Sequence, residues 1–187
     1  MFKRVLALMA VAWAAQASAA HAAPVLWGVN GHAYDVIAAE GITWTEARSA
    51  AQALGAGWDL ASIGDAAEDQ FVQSLLPLAV AERSHYWIGG TDVAIEGSFA
   101  WVDGTPWTYQ NFWGGEPNNA FDDEHYLAYD LRGSTYAWND APNSLAQFGF
   151  ARGYVAERGV QTVPEPATAL LALGGLAAVW MRRRDIR

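Results

Sequence analysis

Residues 113–125 read Trp-Gly-Gly-Glu-Pro-Asn-Asn-Ala-Phe-Asp-Asp-Glu-His. Glu116 and Asn118 stand two apart around Pro117, which puts both oxygen-bearing side chains on one side of an extended segment. X-Pro is the one peptide bond at which cis is cheap, and a cis bond before Pro117 turns both side chains towards one point. Asp122, Asp123 and Glu124 follow, with no basic residue near them in the sequence. Carboxylates bunched without an ionic partner repel one another unless a hard cation neutralises them. The stretch therefore predicts a metal-holding loop.

Farther along, Trp138-Asn139-Asp140 sets an amide beside a carboxylate. Neighbours on a regular strand face opposite sides, so these two reach one ion only if the strand ends or bends there, which Pro142 makes reasonable. Carboxylate and amide oxygens, about six to eight per ion, suit calcium, whereas zinc calls for His or Cys at short spacing. Cysteine is absent, and His32, His85 and His125 form no paired motif. His125 is expected to face solvent beside Glu124.

The flanking sequence predicts an α+β fold. A first strand is expected over His32–Ala38. Thr43 then caps a helix, with Glu46 completing a capping box, and that helix runs to Leu54 and stops at Gly55. Leu60–Ile63 reads as a short strand. Asp65 with Glu68 repeats the capping pattern for a second helix through Leu75, ended by Pro77. Short aromatic strands follow at Tyr86–Ile88, Phe99–Val102, Leu127–Leu131, Thr135–Trp138 and Gly149–Ala156. The segment 103–124 is long for a loop, and Trp107, Tyr109, Phe112 and Trp113 are expected to anchor it. Trp87, Trp101 and Trp138 are expected in the core.

Taken in order, Glu46-Ala47-Arg48, Leu60-Ala61-Ser62-Ile63, Trp87-Ile88-Gly89-Gly90, Glu116-Pro117-Asn118-Asn119 and Trp138-Asn139-Asp140 resemble a C-type lectin domain over roughly residues 29 to 158. The resemblance implies two helices, a small antiparallel sheet whose terminal strands pair, and a long calcium-binding loop region. It also implies a principal calcium (Ca2+) site of Glu116, Asn118, Glu124, Asn139 and Asp140, the same side chains meeting neighbouring hydroxyls of a sugar. The Glu-Pro-Asn string is similar to the mannose-type members, so mannose, glucose, N-acetylglucosamine and fucose are the implied sugars. An auxiliary calcium site is implied at Asp92, Glu96 and Asn119, with Glu124 shared. The family's disulfides are missing: Ala51 and Ala156 stand at the two ends of one bridge and Tyr126 at a third cysteine position, which puts the rigidity of the long loop in question.

Both ends of the chain read as addresses. Lys3 and Arg4 precede an apolar run from Val5 to Ala15, and Ala20-His21-Ala22 fits a signal-peptidase cut, giving a leader over 1–22 and a folded domain over 23–160. From residue 161 to 187, Pro164-Glu165-Pro166 leads into an apolar run closed by Arg182, Arg183 and Arg184. That order resembles the PEP-CTERM tails of Gram-negative bacteria, which implies an exosortase-type sorting protease, transient membrane association through the tail helix, and a cell-surface or extracellular destination. Six of the 11 Lys and Arg lie in these ends, leaving five Arg against most of the 20 acids. Such a middle repels nucleic acid and invites cations. No nucleophile elbow, phosphate loop or zinc-protease string suggests an enzyme. Three readings remain open: a calcium-dependent sugar binder, an interaction module of the cell surface or biofilm matrix that does not bind sugar, and, against the missing catalytic strings, a glycosidase using Glu116 and Glu124 as its carboxylate pair.

Overall fold

The computed structural model describes residues 23–159. The expected leader (1–22) and tail (161–187) lie outside the described residues. In chain order the elements are β1 (Val25–Leu26), β2 (Ala33–Ala38), α1 (Trp44–Ala53), β3 (Trp58–Leu60), α2 (Ala66–Leu75), β4 (His85–Thr91), β5 (Ala100–Trp101), β6 (Tyr126–Arg132), β7 (Thr135–Ala141) and β8 (Ala151–Arg158). The sheet order is β1-β2-β8-β4-β6-β7, with β3 added to β8 and β5 to β4. The first and last long strands, β2 and β8, pair antiparallel from Ala33↔Arg158 to Ala38↔Gly153, as the resemblance implies. Strand β8 also runs parallel to β4, so the sheet is mixed rather than purely antiparallel.

Local chemistry sets both helices. The Thr43 hydroxyl accepts from Glu46 N and the Glu46 carboxylate accepts from Thr43 N, the expected capping box. On α2 only half of the expected box forms. Asp65 accepts from the Ala67 and Glu68 amides, but the Glu68 carboxylate accepts instead from Gly64 N at 2.6 Å and Asn30 Nδ2 at 2.9 Å. A core that offers a buried carboxylate stronger donors outcompetes the local box. The strand expected over Leu60–Ile63 sits earlier, at Trp58–Leu60. There it pairs with Arg158–Ala156, while Ala61 beyond it still bonds its backbone to Val155 and Gly89 at 2.9 and 2.7 Å and Ile63 is buried.

Two core clusters fill the space between helices and sheet. One gathers Tyr34, Ile63, Val72, Ile88, Tyr129 and Trp138, the other Trp44, Ala47, Ala51, Trp87, Tyr154 and Ala156. The alanines at the two ends of the missing bridge are both 0% exposed in the second cluster. Small apolar packing therefore stands where a bridge would run. The Trp87-Ile88-Gly89-Gly90 string has a steric cause: a Cβ on Gly90 would lie 2.3 Å from Leu127 Cδ1, and one on Gly89 2.8 Å from the Leu60 carbonyl oxygen. Among the described residues, no helix is long and apolar enough to cross a membrane.

Candidate functional site

Strand β7 carries the aromatic post of the long loop. The rings of Trp101, Trp107, Tyr109 and Phe112 surround Trp138 at centroid distances of 5.5 to 5.8 Å. Backbone bonds fix the same segment: Trp138 N donates to Asn111 O at 2.7 Å, and Trp113 N to Trp138 O at 2.9 Å. Asp69 on α2, 1% exposed, accepts from Tyr109 Oη, Asn111 Nδ2, Tyr129 Oη, Trp138 Nε1 and Gln73 Nε2. One buried carboxylate thus ties helix, loop and sheet together, and the loop is held without a disulfide. Sequence reasoning missed Asp69. An acid in the first turn of a helix, next to the Asp65–Glu68 capping pair, looks like ordinary helix-start chemistry.

The loop then turns through Glu116–Pro117, which is a cis bond, and Asn118 Nδ2 donates to Glu116 Oε2. Asp140 accepts from Asn118 N at 3.1 Å and from Asn119 N at 2.7 Å. Glu124 accepts from Ala120 N at 2.8 Å, while its own amide donates to Asn119 Oδ1 at 3.0 Å. Burial, then the charges of Asp140 and Glu116, push the Glu124 carboxyl up to about 7 against the opposing Ala120 hydrogen bond. Asp122 and Asp123 point into solvent.

Three expectations need correction. One of the carboxylates, Glu116, does have an ionic partner: Arg132, at the end of β6, places Nη2 2.8 Å from Glu116 Oε1 and 3.3 Å from Asn139 Oδ1. It lies sixteen residues beyond Glu116 in the chain, and only the β6–β7 pairing brings it back. Strand β7 does not end at Trp138 but continues to Ala141, pairing Asn139 with Ala128 and Asp140 with Leu127. The two side chains therefore leave opposite faces of a regular ladder, and Asp140 meets the loop because the loop folds over to it. His125 is no solvent-facing neighbour: its Nδ1 lies 3.2 Å from Asp92 Oδ1 and 3.3 Å from Glu96 Oε2.

These three side chains, Asp92, Glu96 and His125, bring their ligand atoms within 4.8 Å of one another. Asn119, expected with them, sits instead between Asp140 and Glu124. A second such group is His32, Glu68 and Glu157. Beside the loop opens a cavity of about 1030 Å³ whose wall includes Glu124, Asn139, Phe121, Tyr126 and Leu145.

Comparison with known proteins gives this arrangement a family. Residues 40–146 match the Lectin C-type domain, and residues 162–184 match the PEP-CTERM protein-sorting motif. Ladderlectin of Oncorhynchus mykiss is 37% identical over 98 residues, which is 52% of this chain and 50% of that protein. The chain thus spans about half the length of this curated relative. The structure of the C-type lectin CEL-I from Cucumaria echinata superposes with a TM-score of 0.60 at 27% identity, over 72% of this chain and 95% of that one. The cow C-type carbohydrate-recognition domain of CD23, solved in the presence of a GlcNAc2Man3 oligosaccharide, gives 0.56 at 30% identity over 70% and 89%. These relatives are lectins rather than enzymes. With the paired terminal strands, the two helices and the anchored long loop in place, and with more than half of its length matching, this chain belongs to the C-type lectin domain family.

Proposed function

We propose that this domain binds carbohydrate, taking adjacent sugar hydroxyls at a calcium ion held by Glu116, Asn118, Glu124, Asn139 and Asp140. The observation that carries the reading is the closure of the loop onto β7: Asp140 accepts from Asn118 N and Asn119 N, Asn118 donates to Glu116, Glu124 accepts from Ala120 N, and Arg132 links Glu116 to Asn139, so that the acids crowd one another. A divalent ion relieves that crowding. The donor set fits it, since all five residues offer hard oxygens and Arg132 already brings positive charge against two of them. When bound, calcium supplies positive charge and open coordination positions for hydroxyl oxygens. The chain's own residues do the rest: ionised Glu116 and Glu124 accept from the hydroxyls, and the Asn118 and Asn139 amides donate as well as accept.

The Glu-Pro-Asn string supports mannose-type sugars, as does the oligosaccharide present with the CD23 domain. Asp92, Glu96 and His125 form a second candidate cation position. The rival reading, an interaction module in which the ion merely orders the loop, loses ground because Asp69 and the rings around Trp138 already anchor it. The domain layout supports export: leader 1–22, folded domain 23–160, and a sorting tail over 161–187 whose match implies an exosortase-type protease and a cell-surface or extracellular destination.

Glycan-array binding of the purified protein with and without chelator tests this reading. Binding to mannose-type glycans is expected only with calcium. Asn118→Asp swaps a donor for a second acceptor and is expected to weaken that binding at least about tenfold with the melting temperature preserved. Array binding that ignores chelator, or an unaffected Asn118→Asp variant, would count against it.

A further inference from the structure

Arg132 is held on three sides. Its Nη2 meets Glu116 Oε1 at 2.8 Å and Asn139 Oδ1 at 3.3 Å, its Nε meets Asp130 Oδ2 at 2.8 Å, and its guanidinium lies 5.2 Å from the Trp113 ring centre. Glu116 and Asn139 are two of the five oxygen donors proposed above for calcium. A guanidinium occupying those oxygens takes lone pairs that the ion needs, and two like charges do not share one carboxylate oxygen at contact distance without strong repulsion. The two cations are therefore in competition.

The surroundings make that competition reversible. Asp130, at 0% exposure, would be stranded if Arg132 were its sole partner, but Arg83 Nη1 also reaches its Oδ2 at 2.7 Å. The Arg132 side chain is 27% exposed and so borders solvent, whereas the Glu116 side chain is 8% exposed and fixed against the loop. The arginine is thus the more exposed partner of this pair.

We propose that Arg132 is a tethered counter-cation that neutralises the Glu116–Asn139 side of the site when no ion is present and must leave Glu116 for calcium to load. Calcium affinity, and the sugar affinity that depends on it, is then set by a residue that is not itself a ligand. The proposal rests on the calcium reading above. In this arrangement the chain carries its own substitute charge, and an incoming ion would displace it from Glu116.

Calorimetric titration with calcium of the native chain, Arg132→Gln and Arg132→Lys, with melting of each in chelator, tests it. Arg132→Gln is expected to bind calcium about tenfold more tightly than the native protein while melting at a lower temperature in chelator. Arg132→Lys keeps the charge but loses the fork, and falls between. Damage to the loop would weaken calcium binding, so tightening separates competition from a structural role. Equal or weaker calcium binding in both variants overturns the proposal and leaves the calcium reading standing; no uptake by any of the three overturns both. Should Arg132→Gln fail to fold, Arg132→Lys decides alone: tighter than native supports the proposal, equal or weaker ends it.

Discussion

Glu68 and Asp69 on α2 are 6% and 1% exposed, and donors from several separate segments surround both: Gly64 N, Asn30 and Tyr34 on the first, and Gln73, Tyr109, Asn111, Tyr129 and Trp138 on the second. Glu116, Glu124 and Asp140 also face inwards, yet their donors come from the loop itself, at residues 118 to 120, and from Arg132 on the solvent side. Asp140 is as buried as the two helix acids, whereas Glu116 and Glu124 are partly buried. The source of the hydrogen bonds differs. A carboxylate saturated by packed aromatic and amide groups is a structural joint, because removing any donor disturbs the core. A carboxylate served by its own loop and by one partly exposed arginine can exchange those partners for a ligand.

The sharpest way to break this contrast is Asp69→Ala. It strands Tyr129 Oη and Trp138 Nε1 in the core and releases Tyr109 and Asn111, so a loss of about 3 kcal/mol is expected in denaturant unfolding, with or without calcium. A loss confined to calcium-free protein would place Asp69 with the exchangeable acids instead.

Glu124→Gln is the opposite case. Calcium binding is expected to weaken at least about tenfold, while the calcium-free domain keeps its stability because a crowded charge has been removed. The pH dependence carries the same sign. Glu124 holds its proton up to about pH 7 when folded and only to the ordinary carboxylate range when unfolded. Its stabilisation is thus complete below that range and is lost as pH rises through 7. His85, buried and held down to about 4, acts the other way and loses its contribution as pH falls below the ordinary imidazole value. Native and variant share His85, so the difference between them isolates Glu124. Between about pH 5.5 and 7.5 the native calcium-free domain is expected to lose about 1 kcal/mol more than Glu124→Gln. Parallel pH profiles would remove the crowding argument.

The smallest effect is expected at Phe121, 97% exposed with a φ of 62°. Asn tolerates that backbone region better than Phe, so Phe121→Asn should change stability by less than about 0.5 kcal/mol. Loss of glycan binding in that variant would make the ring a sugar platform and extend the site into the neighbouring cavity.

The capping box of α1, the tryptophan core and the loop anchors were legible because each depends on near neighbours or on hydrophobicity alone: Thr43 with Glu46, Trp87, Trp101 and Trp138 in the core, Tyr109 and Trp113 on the loop. What the sequence hid were contacts between distant strands. Arg132 stands next to Glu116 only because β6 and β7 pair, and Asp69 becomes a hub only when loop and sheet close over α2. Strand β7 passes Trp138 because Asn139 and Asp140 find ladder partners in Ala128 and Leu127, which outweighs their weak preference for strands. His125 turned to Asp92 for a similar reason, because the β4–β6 pairing sets the two residues side by side.

Strand β8, the last element described, lies inside the sheet with β2 on one side and β4 on the other. Tension applied beyond Arg158 along this strand must shear antiparallel and parallel ladders together, where an edge strand would unzip bond by bond. A domain fastened at that end and gripping its ligand at the loop would resist drag by its woven terminus rather than by any covalent crosslink.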